Sequence, residues 1–81
     1  MRRRCNELLE TARNNPAGLR FSELQKLCEC AGMSLDRVKG SHHIYKRGNP
    51  SFTLSIQSMQ DGKAKAYQVR ELVDFIDDKD L

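Results

Sequence analysis

Cys5, Leu8, Leu9 and Ala12 fall at i, i+3, i+4 and i+7, the spacing that lines one face of an α-helix with apolar side chains. This predicts a first short helix. The run Asn14-Asn15-Pro16-Ala17-Gly18 ends it, because Pro16 lacks an amide hydrogen and restricts the residue before it. Leu24, Leu27, Cys28 and Ala31 repeat the same spacing, and Ser22 with Gln25 reads as a capping box at the start of a second helix that stops at Gly32.

From Met33 to Gln57 the pattern changes to short segments rich in β-branched and aromatic residues, broken at Gly40 and at Arg47-Gly48-Asn49-Pro50. Three strands follow, about Ser34 to Lys39, His42 to Lys46 and Phe52 to Gln57. In the last of them Phe52, Leu54 and Ile56 alternate with Thr53, Ser55 and Gln57, the period of two expected when one sheet face is covered and the other is wet. Val69, Leu72, Val73 and Ile76 form a third helical stripe, placing a final helix from about Ala66 to Asp77. Residues 77 to 81 are expected to fray.

The expected fold is therefore α+β, in the order α-α-β-β-β-α, with a three-stranded antiparallel sheet and the helices packed on one face. With 81 residues the chain has material for one domain, 1–81, and one modest core. No apolar run approaches the roughly 18–20 residues of a membrane span, and Met1-Arg2-Arg3-Arg4 leads into an amphipathic stretch instead of an apolar signal core. This predicts a cytoplasmic protein without a membrane partner. Cys5, Cys28 and Cys30 form an odd set with no CxxC spacing, which predicts reduced thiols instead of a disulfide framework.

The net charge of +3 is unevenly distributed. Residues 1 to 32 carry six basic and four acidic groups, residues 33 to 70 seven and two, and residues 71 to 81 one and five. A basic middle beside an acidic tail is a local attraction for a polyanion, although many solvated surfaces show such a split.

Within that basic middle lies Gly40-Ser41-His42-His43. An imidazole near neutral pKa can take a proton from a ribose 2′-hydroxyl or give one to a departing 5′-oxygen, so RNA, which carries its own nucleophile, is a substrate it could cleave without metal. Lys39, Lys46 and Arg47 stand close enough in sequence to hold phosphate, and Lys63 and Lys65 could do so near the start of the last helix. Adjacent histidines on a polar strand edge are, from the residues alone, more often surface or hydrogen-bonded structural residues than catalysts. They must point to opposite faces, and the residues alone do not choose between them. Because His42 shares its face with Ile44, strict alternation predicts that His42 turns toward the apolar side unless Gly40 introduces a bulge or His42 sits at the rim. Zinc is disfavoured: Cys28 and Cys30 diverge on a helix, as His42 and His43 do on a strand. No cofactor is expected, and the P-loop, GxGxxG, GxSxG and HExxH motifs are absent.

The segments RFSELQKLCECAG (20 to 32), VKGSHHIYKR (38 to 47), LSIQ (54 to 57) and GKAKAYQVRELVDFI (62 to 76) resemble the HicA family of toxin–antitoxin systems. The resemblance covers the core from 20 to 76 and leaves 1–18 as an N-terminal helical extension. It implies a fold similar to a double-stranded-RNA-binding domain and an mRNA interferase activity. It also implies that the histidine directly after Gly-Ser, His42, is catalytic, and that a HicB-like antitoxin covers it. With that resemblance the expectation is a metal-independent endoribonuclease acting on mRNA by 2′-hydroxyl attack. Lys39, Gly40, Ser41, His43, Lys46, Arg47, Lys63 and Lys65 would surround the RNA. The rivals are a non-catalytic RNA-binding module of the same fold and an adaptor whose only partner is protein.

Overall fold

A computed structural model describes residues 1–81. Its order is α1 (Arg3–Asn14), a 3-10 turn (Pro16–Gly18), α2 (Phe21–Cys30), β1 (Ser34–Lys39), β2 (His42–Arg47), β3 (Phe52–Gln57) and α3 (Ala66–Asp78). This is the α-α-β-β-β-α arrangement of an α+β fold. The strands form an antiparallel sheet in the order β1-β2-β3.

The second helix starts two residues before the position that the Ser22 signal marked. Arg20 is its N-cap, and the Glu23 carboxylate accepts the Arg20 amide hydrogen at 2.9 Å, so Glu23 and not Gln25 closes the first turn. At the other end Gly32 adopts φ 79°. The Gly32 amide donates to the Glu29 carbonyl and the Met33 amide to the Cys28 carbonyl, a Schellman ending that turns the chain into β1. Residues 77 to 81 are better held than expected. Asp80 takes φ 54°, the Leu81 amide donates to the Ile76 carbonyl, and Asp77 pairs with Arg13 of α1.

Alternation along β2 and β3 is strict. His43, Tyr45, Leu54 and Ile56 face the helices, and Tyr45, Leu54 and Ile56 are buried there among Leu24, Leu27, Val69 and Leu72. His42, Ile44, Lys46, Thr53, Ser55 and Gln57 lie on the opposite, open face. The expected conflict between His42 and Ile44 is resolved by the partners of Tyr45. The larger apolar set, Tyr45, Leu54 and Ile56, decides which face is covered, so Ile44 is the residue that lies on the wet side. No bulge at Gly40 is involved. A shift in register occurs instead between Leu35 and Arg37 of β1, a strand that extends beyond the helices and is exposed along its whole length.

The cysteines also depart from expectation. Cys5 and Cys30 are joined in a disulfide that ties the start of α1 to the end of α2, and only Cys28 is free. Residues 25 apart in sequence meet because the two helices pack together, a proximity that spacing does not reveal. Burial pushes the Cys28 thiol up to about 12, with a smaller contribution from Glu29. No helix is long and apolar enough to cross a membrane.

Candidate functional site

The β1–β2 hairpin presents the histidines. Lys39 and His42 are directly paired, leaving Gly40 and Ser41 as a two-residue loop, and Gly40 at φ 62° supplies the positive φ that such a tight turn requires. A Cβ at Gly40 would meet nothing within 4 Å, so the glycine serves backbone conformation and not close packing.

His42 emerges exposed on the open face, with Lys39 across from it on β1 and Gln57 across from it on β3. Its Nδ1 lies 3.3 Å from the Ser55 hydroxyl. That hydroxyl can donate to Nδ1 of the neutral ring or accept from the imidazolium, so it orients both protonation states and leaves Nε2 as the outward nitrogen.

Beside His42, the Gln57 amide donates to the Ser41 hydroxyl at 2.8 Å, and the Gln57 side-chain carbonyl accepts from Lys65 Nζ at 2.7 Å. The Gln57 backbone amide, on the outer edge of the sheet, donates to Oε1 of the buried Gln68 at 3.0 Å. One glutamine therefore brings Ser41, at the hairpin, and Lys65, at the start of α3, to the same end of the sheet as His42.

The other basic residues divide between places. Arg37 and Lys39 share the open face of β1, opposite Ile44 and His42. Lys46 is on that face too, but four residues along β2, roughly 13 Å from His42 at the usual strand rise. Its ammonium is paired with Asp36 at 3.5 Å. Lys63 is exposed in the turn between β3 and α3, where its backbone is fastened to the Asp61 carboxylate and to the Met59 amide.

Two expected site residues lie elsewhere. His43 turns under the helices, its ring edge-on to Phe21 at 5.0 Å and its Nδ1 buried without a hydrogen-bond partner. It is not available to RNA on the open face. Arg47 is on the same inner side, partly buried. Its guanidinium donates to the carbonyls of Ala31 at 2.5 Å, Pro50 at 2.8 Å and Asn49 at 3.0 Å, and lies 5.9 Å from the centre of the Phe75 ring. Arg47 closes the end of α2 and the β2–β3 turn, and its donors are spent on backbone instead of phosphate. Gly32 leaves room for it, since a Cβ there would stand 3.1 Å from Nη1.

Arg37, Ser55 and Gln57 are the members that motif reading passed over. For Arg37 the signal is that residues 37 and 39 share one side of a strand; for Ser55 and Gln57 the alternation of β3 shows only that they lie on the wet face. No three His, Cys, Asp or Glu side chains converge as a metal site would require.

An α+β domain with an exposed, oriented histidine on a basic open sheet face is what these residues define. The chain matches no protein-family model, no curated protein and no solved structure.

Proposed function

We propose that this chain is a HicA-like toxin, a metal-independent endoribonuclease of mRNA that a HicB-like antitoxin neutralises, with His42 as the general acid or base. The observation that carries the reading is the placement of His42. It is exposed, oriented through Nδ1 by Ser55, and flanked by Lys39 across the strand and by Gln57, which holds Lys65.

In this mechanism His42 Nε2 takes the proton of a ribose 2′-hydroxyl while solvent water protonates the departing 5′-oxygen, or protonates that oxygen while water takes the 2′-proton. The 2′-oxygen attacks the adjacent phosphorus, the bond to the 5′-oxygen breaks, and the products end in a 2′,3′-cyclic phosphate and a 5′-hydroxyl. Lys39 and Lys65 are the cations placed to balance charge gathering on the phosphorane, while Arg37 and Lys46 serve neighbouring phosphates. Ser41 holds Gln57 in place. The open face, basic and without a covering layer, suits both RNA and an acidic protein that competes for it.

The test is induced expression of the wild type beside His42→Ala, with total RNA examined for cleavage and for the chemistry of the new ends. Because His42 is exposed and packs on nothing in the core, the variant is expected to fold and to bind the antitoxin while losing cleavage and toxicity. New ends bearing 5′-phosphate, or cleavage strictly dependent on magnesium, would overturn the mechanism. One observation favours a non-catalytic RNA-binding module of the same fold: His42 is the single imidazole on the open face, with no second one to handle the other proton. On that reading His42→Ala changes little, while RNA binding still weakens steeply with salt.

A further inference from the structure

A cleft of about 460 Å³ opens between the turn after β3 and the first turn of α3, lined by Met59, Asp61, Lys63, Lys65 and Tyr67 together with three alanines. Met59 and Tyr67 are 47% and 60% exposed, which leaves an aromatic ring and a thioether in water beside two lysines. Asp61 also lines the cleft, but its carboxylate accepts the Lys63 backbone amide at 3.0 Å and so is engaged in holding the turn.

Tyr67 is exposed but not loose. Gln68, only 4% exposed, donates from Nε2 to the Tyr67 hydroxyl at 3.2 Å, and its Oε1 accepts the Gln57 amide. Gln57 stands opposite His42 and holds Lys65, which lines the cleft. A continuous set of hydrogen bonds therefore runs from the tyrosine to the strand position facing the histidine, and the ring is held at a set distance from it.

An anchored aromatic face beside lysines at the positive end of a helix matches one nucleotide of a single strand: a base to stack on the ring and a phosphate for the ammonium groups. In a duplex the bases are already stacked on one another, and none is free to lie on Tyr67.

We propose that this cleft is a base-binding subsite for an unpaired nucleotide flanking the cleaved bond, with Tyr67 stacking on the base, Met59 packing beside it, and Lys63 and Lys65 taking the adjoining phosphate. The inference rests on the ribonuclease reading above and adds to it that the substrate is single-stranded where it crosses α3. The double-stranded-RNA-binding-like fold that the HicA resemblance implies would have suggested the opposite.

The experiment is fluorescence anisotropy with a short single-stranded oligonucleotide carrying 2′-O-methyl sugars, which cannot be cleaved. The same length in abasic form and a duplex of the same sequence are titrated alongside, and cleavage of ordinary RNA is followed in parallel. Tyr67→Leu is expected to weaken binding of the intact strand about 10-fold or more and to leave the abasic strand unchanged, whereas Tyr67→Phe, which keeps the ring, stays within a few-fold of wild type. Lys63→Ala should weaken intact and abasic strands alike and lower the salt slope by about 0.7. If Tyr67→Leu affects the abasic strand as much as the intact one, or neither, or if the duplex binds as tightly as the single strand, the subsite is overturned while the ribonuclease reading stands on its cleavage. If the wild type neither binds nor cleaves RNA, both fall.

Discussion

Replacing Arg47 with methionine keeps the apolar stem and removes the guanidinium, and the geometry sets the expected loss. Two bonds, to the Ala31 and Pro50 carbonyls, are partly buried, and the third, to Asn49, is exposed. At about 1 kcal/mol for each partly buried bond, less for the exposed one, and about 0.5 kcal/mol for the contact with Phe75, the variant should lose roughly 2–3 kcal/mol. A domain of this size has about 4–12 kcal/mol in total, so the variant stays folded at 25 °C. Its Tm should fall by roughly 10–20 °C, at about 4–8 °C per kcal/mol. Thermal and urea unfolding followed by circular dichroism measure that loss, and RNA cleavage at 20 °C, normalised to folded protein, measures function. The expected result is a large loss of stability with cleavage largely kept. Wild-type stability within about 0.5 kcal/mol together with lost cleavage would refute the reasoning, and would return Arg47 to the phosphate-holding role that its place in the sequence suggested.

His43→Leu removes a buried, unpartnered ring nitrogen and leaves an apolar side chain against Phe21, so stability should change by no more than about 1 kcal/mol and cleavage should persist; urea unfolding and an RNA gel check both. Thiol titration without reductant should find no reactive group in the native protein and one after unfolding, from Cys28, rising to three once the Cys5–Cys30 bond is reduced. Burial holds the Cys28 thiol protonated up to about 12, so raising the pH to 9 should not expose it while the fold persists. Hydrogen bonding to Arg13 lowers the Asp77 pKa, so the stabilisation is present above the unfolded carboxylate range, near 4, and is lost as pH falls through the lower folded value. The wild type should therefore exceed Asp77→Asn in urea midpoint at pH 7, with the difference shrinking as the pH falls below the unfolded carboxylate range.

Local pattern was sufficient for the elements because helices and strands bury their own periodic faces. The stripes at 5–12, 24–31 and 69–76, and the alternation from Phe52 to Gln57, each correspond to an observed element. The glycines at 32 and 40 mark their turns for the same local reason, since both adopt positive φ. The start of α2 is not fixed by local pattern because Ser22-Gln25 and Arg20-Glu23 offer competing caps two residues apart, and only the completed turn shows which side chain reaches back.

The candidate site was legible as a neighbourhood and not as an arrangement. Gly40-Ser41-His42-His43 stood out, and alternation required its histidines to part, but which of them met water depended on the sheet face that Tyr45, Leu54 and Ile56 buried. Arg47 looked like a neighbour of the histidines because it is near in sequence. Its actual partners include a carbonyl sixteen residues earlier, brought to it by packing of α2 against the sheet. Nothing local in the sequence links Gln57, Gln68 and Lys65 to one another; they join only because β3 ends beside the start of α3.

The chain's own pattern thus determined its elements, their order and the segment most worth testing, all of which depend on residues a few positions apart. Tertiary structure decided the covered face, the disulfide, the structural use of Arg47 and His43, and the company His42 keeps. Each of those is a contact between segments distant in sequence, and neither periodicity nor spacing carries information about which distant groups will meet.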